Sequence, residues 1–228
     1  MKRGFTLLAL VTALLLSFAL YEALIAAPTE QTMGNVQRIF YYHVPSAWTA
    51  FILFLINFVA SVVYLIRRNP KADILALVSA EVGVVFCTVV IVTGPIWARP
   101  VWGIWWAPGD IRLTTTLVLW LIYISYLVLR RFSTSGRTPV IAAVVAIFGA
   151  LDVPLVYFSI WFFRTQHPSP VIGGGGSLDP RMAQVLLINW AAFMCLAWLL
   201  SWTRYELEVA KRQVEEAQAL ESLLEGSR

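Results

Sequence analysis

Of the 228 residues, 59% are hydrophobic and only 13% carry charge. That balance excludes an ordinary soluble globular domain, in which roughly a quarter of residues are charged. The formal net charge of +4 does not call for a nucleic-acid partner, because the basic residues sit where membrane topology requires them.

Apolar runs of about 20 residues, long enough to span a hydrocarbon core of about 30 Å, recur along the chain. They lie near residues 4 to 26, 44 to 66, 74 to 95, 114 to 129, 138 to 163 and 182 to 202. The expected fold is therefore all-α, a polytopic membrane protein built as a bundle of six transmembrane helices. Lys2 and Arg3 followed by an apolar stretch and by Ala26 and Ala27 resemble a secretory signal, but the stretch is too long for a signal core, so an uncleaved first span is expected. The fourth run is short, which predicts a helix starting near Ile111 and carrying Arg112 at its outer end.

Twelve basic residues (Lys2, Arg3, Arg67, Arg68, Lys71, Arg130, Arg131, Arg137, Arg204, Lys211, Arg212 and Arg228) fall on one side of such a bundle, and five (Arg38, Arg99, Arg112, Arg164 and Arg181) on the other. The positive-inside bias then makes both termini cytoplasmic. The inner loops RRNPKAD and RRFSTSGR read as topological anchors.

Three loops face outward, residues 27 to 43, 96 to 113 and 164 to 181. Met33, Val36 and Phe40 in the first have roughly helical spacing and predict a short interfacial helix. Proline and four consecutive glycines in the third predict flexible coil; without the lysine and hydroxyl residue of a phosphate loop, the glycines do not signal nucleotide binding. The chain divides into a membrane domain, 1–202, and a tail, 203–228, rich in Glu, Lys, Arg, Ala and Leu. Leu207, Ala210, Val214 and Ala217 share a stripe of that tail, which is either a solvated continuation of the last span or a docking helix for a cytoplasmic partner. Internal repeats of the kind that build inverted-repeat transporters are not evident.

Cys87 and Cys195 lie inside apolar runs without C-x-x-C spacing, so thiol exchange is not expected, and no C-x-x-C-H marks a covalently attached c-type haem. The chain has two histidines, His43 in YYHVP before the second span and His167 in TQHP after the fifth, both at the outer level. One interfacial histidine is ordinarily a packing or hydrogen-bonding residue. Two approaching from opposite sides meet the need of a six-coordinate iron porphyrin. Trp102, Trp105 and Trp106 in WGIWWAPGD lie at the same level. Interfacial aromatic belts account for single tryptophans, but three at this spacing would share one face of a helix and form a shelf for a flat macrocycle. Arg38, Arg99, Arg112 and Arg164 are available to pair with propionates, Arg38 and Arg112 being favoured by their places beside His43 and the tryptophans; a structural ion-pair role for either stays open. Asp110 either orients an indole or caps the fourth helix, with capping preferred. Glu81 and Asp152 fall inside spans, where an acid pairs, stays protonated or relays protons.

The segments RIFYYHVP (38–45), WGIWWAPGDIRLT (102–114) and FFRTQHP (162–168) together resemble the CcmC family, haem-handling membrane proteins of the WWD type that serve bacterial cytochrome c maturation. The resemblance covers span count and topology over most of the chain. It implies that His43 and His167 are axial ligands of haem b and that Trp102, Trp105 and Trp106 line the haem site, to which the reading of the residues adds Arg112, Arg38 and Asp110; no catalysed reaction is expected. It further implies an inner-membrane location with the site on the periplasmic side, transfer of haem to the chaperone CcmE, and a complex with CcmA, CcmB and CcmD. Where the family pattern reads W-G-x-W-W-x-W-D, this chain is one residue longer and has A-P-G before its aspartate. Two other classes are consistent with spans and histidines alone: a membrane cytochrome b exchanging electrons with quinone, and a small-solute transporter built around Glu81 and Asp152. The first leaves unexplained why both histidines lie at span ends, and the second the tryptophan cluster.

Overall fold

The computed structural model describes residues 2–163, 165–168 and 178–225. Six helices are arranged in chain order: α1 (Lys2–Tyr21), α2 (Phe40–Arg67), α3 (Pro70–Trp102), α4 (Ile111–Phe132), α5 (Thr138–Phe162) and α6 (Pro180–Glu225). Each is long and apolar enough to cross a membrane, and the chain is a multi-pass membrane protein. A π-helical turn, Glu22–Ala26, prolongs α1, and a 3₁₀ turn, Asn35–Ile39, leads directly into α2. The expected interfacial helix is therefore the first turn of the second span. Residues 203–225 continue the last span as one helix, α6 running without a break across 46 residues. The Gly173–Gly176 run and Arg164 lie outside the described residues.

Local chemistry sets the helix ends. Arg68 closes α2 in the left-handed region at φ 51°. Asn69 caps α3 by accepting the Lys71 N–H at 2.9 Å, and Pro70, at the first helical position, lacks an N–H that would otherwise go unpaired. Asp110 caps α4 by accepting the Leu113 N–H at 3.2 Å, as the sequence led us to expect.

Helix pairs approach closely where a side chain is missing. Phe54 of α2 stacks on Tyr123 of α4 with centroids 3.8 Å apart, and Gly83 of α3 lies beneath it. A β-carbon on Gly83 would fall 2.7 Å from the Phe54 ring, so only glycine fits.

Ion pairs fasten both ends of the bundle. At one end Arg181 of α6 pairs with the buried Glu22 at the end of α1. At the other, Asp73 of α3 receives Arg130 of α4 through two bonds of 2.6 and 2.9 Å and Arg212 of α6 at 2.7 Å. Glu208 joins Arg212 to Arg204, and Arg204 reaches Glu81 at 2.8 Å. Glu81 is thus a member of a charge network. Asp152 is buried in α5, and its Oδ2 has no hydrogen-bond partner among the described residues.

Candidate functional site

His43 stands in the first turn of α2, and His167 on the segment that follows α5. The fold brings their rings together, with centroids 6.4 Å apart and planes inclined by 32°. Two imidazoles binding one metal from opposite sides, each through a bond of about 2 Å and with a ring radius of about 1 Å, would have centroids roughly 6 Å apart.

Hydrogen bonds fix which nitrogen each ring offers. The Thr93 hydroxyl on α3 gives its proton to the Val89 carbonyl at 2.6 Å, so toward His43 Nδ1, 2.9 Å away, it can only accept. His167 Nδ1 lies 3.0 Å from the Pro168 carbonyl, which has no proton to give. Both rings therefore carry their proton on Nδ1. Among the described residues nothing bonds either Nε2, whose lone pair is then available, the arrangement seen when a metal-binding imidazole is oriented through its other nitrogen.

Asp110 holds the second histidine in place. One carboxylate oxygen caps α4, while the other accepts the Thr165 hydroxyl and the Gln166 N–H, the latter at 2.8 Å. The Thr165 oxygen in turn accepts the His167 N–H at 3.1 Å. Burial, the strongest influence on Asp110, raises its pKa, but the Thr165 hydroxyl and the N–H groups of Gln166, Leu113 and Arg112 outweigh it and hold the carboxyl below its ordinary value. Asp110→Ala removes the cap and leaves the Thr165 and Gln166 donors unmet, so it should destabilise the chain by about 2 kcal/mol, read by thermal unfolding in detergent. A variant as stable as the parent would show that these bonds do not hold the segment.

Arg112 enters the same site from the first turn of α4. Its Nη1 is buried without a hydrogen-bond partner among the described residues. Its charge acts on both imidazoles. Burial first, and then this guanidinium, push the His167 pKa down to about 4, against the opposing pull of the Pro168 carbonyl and Asp110.

The tryptophans depart from expectation. Gly103, at φ 77°, ends α3 in the left-handed conformation, so Trp102 is the last helical residue and Trp105 and Trp106 follow in irregular chain. The three do not form one helical face. Trp102 packs edge-on against Trp97 at 5.2 Å, whereas Trp105 is 59% exposed. Arg99 closes the same helix end by donating to the Gly103 carbonyl. Arg38 is engaged in the fold: it donates to the Ala23 and Ala27 carbonyls at 2.8 and 3.4 Å and to Asn35 at 3.3 Å, which ties α2 to the end of α1. Thr93, Thr165 and Trp97 are site residues that the sequence did not single out, since a hydroxyl within an apolar run has no distinguishing pattern.

Among the described residues no three His, Cys, Asp or Glu side chains converge as a bare metal site would require. Two imidazole nitrogens and a guanidinium Nη1 without a partner among the described residues suit instead a metal that brings its own equatorial ligands together with anionic groups.

Residues 1–220 match the family described as Heme exporter protein C. Heme exporter protein C of Bradyrhizobium diazoefficiens is 34% identical over 94% of this chain and 82% of its own length. That of Haemophilus influenzae is 30% identical over 92% and 86%. A ccmC-like mitochondrial protein of cytochrome c biosynthesis from Marchantia polymorpha is 30% identical over 80% and 78%. The chain belongs to the Heme exporter protein C family.

Proposed function

We propose that the protein binds haem b between His43 and His167 and presents it, without chemical change, to the chaperone CcmE for cytochrome c maturation. The observation that carries this reading is the pair of imidazoles with centroids 6.4 Å apart, close to the spacing a shared iron requires, each bonded through Nδ1 and with no partner on Nε2 among the described residues. Haem supplies four equatorial nitrogens, and the two histidines complete six-coordination. Arg112 pairs with a propionate through its unsatisfied Nη1. Trp102, Trp105 and Trp106 flank the macrocycle, Asp110 holds the His167 segment, and Arg38 serves through the fold. The twelve-to-five distribution of basic residues supports a topology with both termini in the bacterial cytoplasm, and the reading puts the site on the periplasmic face of the inner membrane. CcmA, CcmB and CcmD are the partners in the membrane complex.

Ferric haem added to the purified full chain in detergent should bind one to one with a low-spin, bis-imidazole absorbance spectrum, and adding soluble CcmE should draw it off. A high-spin spectrum, or no binding, would overturn the reading. Quinol turnover by the loaded protein would favour the cytochrome b alternative.

Binding should also depend on acid. The folded His167 value of about 4 lies below the ordinary 6.5, so its neutral form is the favoured buried one. Stability tied to that neutrality is complete above pH 6.5 and is lost as pH falls from there through about 4. Haem retention should be flat near neutrality and fall as pH approaches 4. In Arg112→Gln, where one cause of the depression is gone, the fall should begin at higher pH, as followed by absorbance titration. An unchanged profile would show that Arg112 does not act on His167.

A further inference from the structure

The geometry points to Thr93 as a positioning residue that fixes the proton of His43 on Nδ1 and so keeps Nε2 ready for iron. This inference rests on the bis-histidine reading and adds to it a residue from a third element.

The two rings are held in different ways. His167 bonds through Nδ1 to the carbonyl of the next residue, so its ring is oriented by its own stretch of chain. His43 bonds across the bundle, from α2 to the side chain of Thr93 on α3, 50 residues away in sequence. Thr93 can accept there because its only proton goes to the Val89 carbonyl one helical turn back. A hydroxyl free to rotate could donate to His43 as easily as accept from it; the Val89 bond removes that freedom. Gly94 next to it borders the ring: a β-carbon there would make ordinary contact with His43 Cε1 at 3.6 Å.

Without the Thr93 oxygen the buried Nδ1–H has no acceptor, and the proton gains by moving to Nε2, where it blocks the lone pair. Thr93→Val keeps the side-chain shape and removes the acceptor. Thr93→Ser restores it. Because the chain has two histidines, selective ¹⁵N-histidine labelling of the full protein in detergent reads each ring nitrogen without haem. The parent should show both rings protonated at Nδ1; Thr93→Val should convert one ring wholly or partly to the other tautomer, and Thr93→Ser should restore it. Haem affinity should fall about 10- to 100-fold in Thr93→Val, the usual effect of losing an outer partner of a metal-bound histidine, and recover in Thr93→Ser. Thr88→Val provides the control: Thr88 likewise donates to a carbonyl one turn back, at 2.7 Å, but it accepts from Trp120 at 2.9 Å, so its loss should leave both histidine signals in place.

An unchanged tautomer in Thr93→Val overturns the inference, as does a change that Thr93→Ser fails to reverse or that Thr88→Val reproduces. The bis-histidine reading fails separately, if the histidine variants themselves retain haem. A shifted tautomer with unchanged haem affinity would also overturn the inference, since the hydroxyl would then orient the ring without serving the iron.

Discussion

Alanine at His43, or at His167, should abolish the low-spin haem spectrum of the purified chain and lower haem affinity by more than about 100-fold, beyond the effect of removing an outer partner. Each variant retains one imidazole, so residual haem should be five-coordinate and high-spin, and the double variant should bind at background level. The fold should survive both changes. Thr93 keeps its bond to Val89 when His43 is truncated, and Asp110 still accepts the Thr165 hydroxyl and the Gln166 N–H when the His167 ring is removed. Loss of haem from a chain that unfolds at the parent temperature would therefore reflect coordination. Full haem content in both variants would remove the bis-histidine assignment.

The largest effect on stability is expected at the far end of the bundle. Asp73→Ala removes the anion that receives both Arg130 nitrogens, where the side chains of Arg130 and Asp73 are 9% and 4% exposed. Deleting one partner of a buried pair leaves the other charge uncompensated, and this typically costs about 3–5 kcal/mol. Arg212 adds little to that figure because its side chain is 27% exposed and reaches solvent when released. The variant should unfold well below the parent temperature in detergent, and Asp73→Ala combined with Arg130→Met should recover part of the loss, since the stranded cation is then gone. The folded fraction should bind haem normally, because Asp73 belongs to the opposite end from the histidines. A variant as stable as its parent would show that the network fastens nothing.

What the sequence made legible was mainly local. Run length revealed the six spans, and the shortness of the fourth run located the start of α4 near Ile111, with Asp110 just before it as the cap. The two histidines stood out because the chain has no others. Spacing failed where one residue overrides a period: Gly103 in the left-handed region ends α3 and separates Trp102 from Trp105 and Trp106. It also failed for partners distant in sequence. Arg38 was legible as a cation on the right loop, but its acceptors are main-chain carbonyls of the preceding helix end, which no side-chain pattern announces. Glu81 looked like an isolated intramembrane acid because its partner, Arg204, is 123 residues away. Thr93 was invisible for the same reason, since its significance depends on a ring contributed by another helix.

Asp110 is where two stretches of chain separated by a whole transmembrane hairpin become a single mechanical part. Its carboxylate grips the start of α4, just after the indole-bearing loop, and the backbone that leads to His167. The exposed Trp105 ring and the His167 imidazole therefore stand on opposite arms of one yoke. On the bis-histidine reading proposed above, a protein that leans on that ring would also tug at the segment carrying the second imidazole.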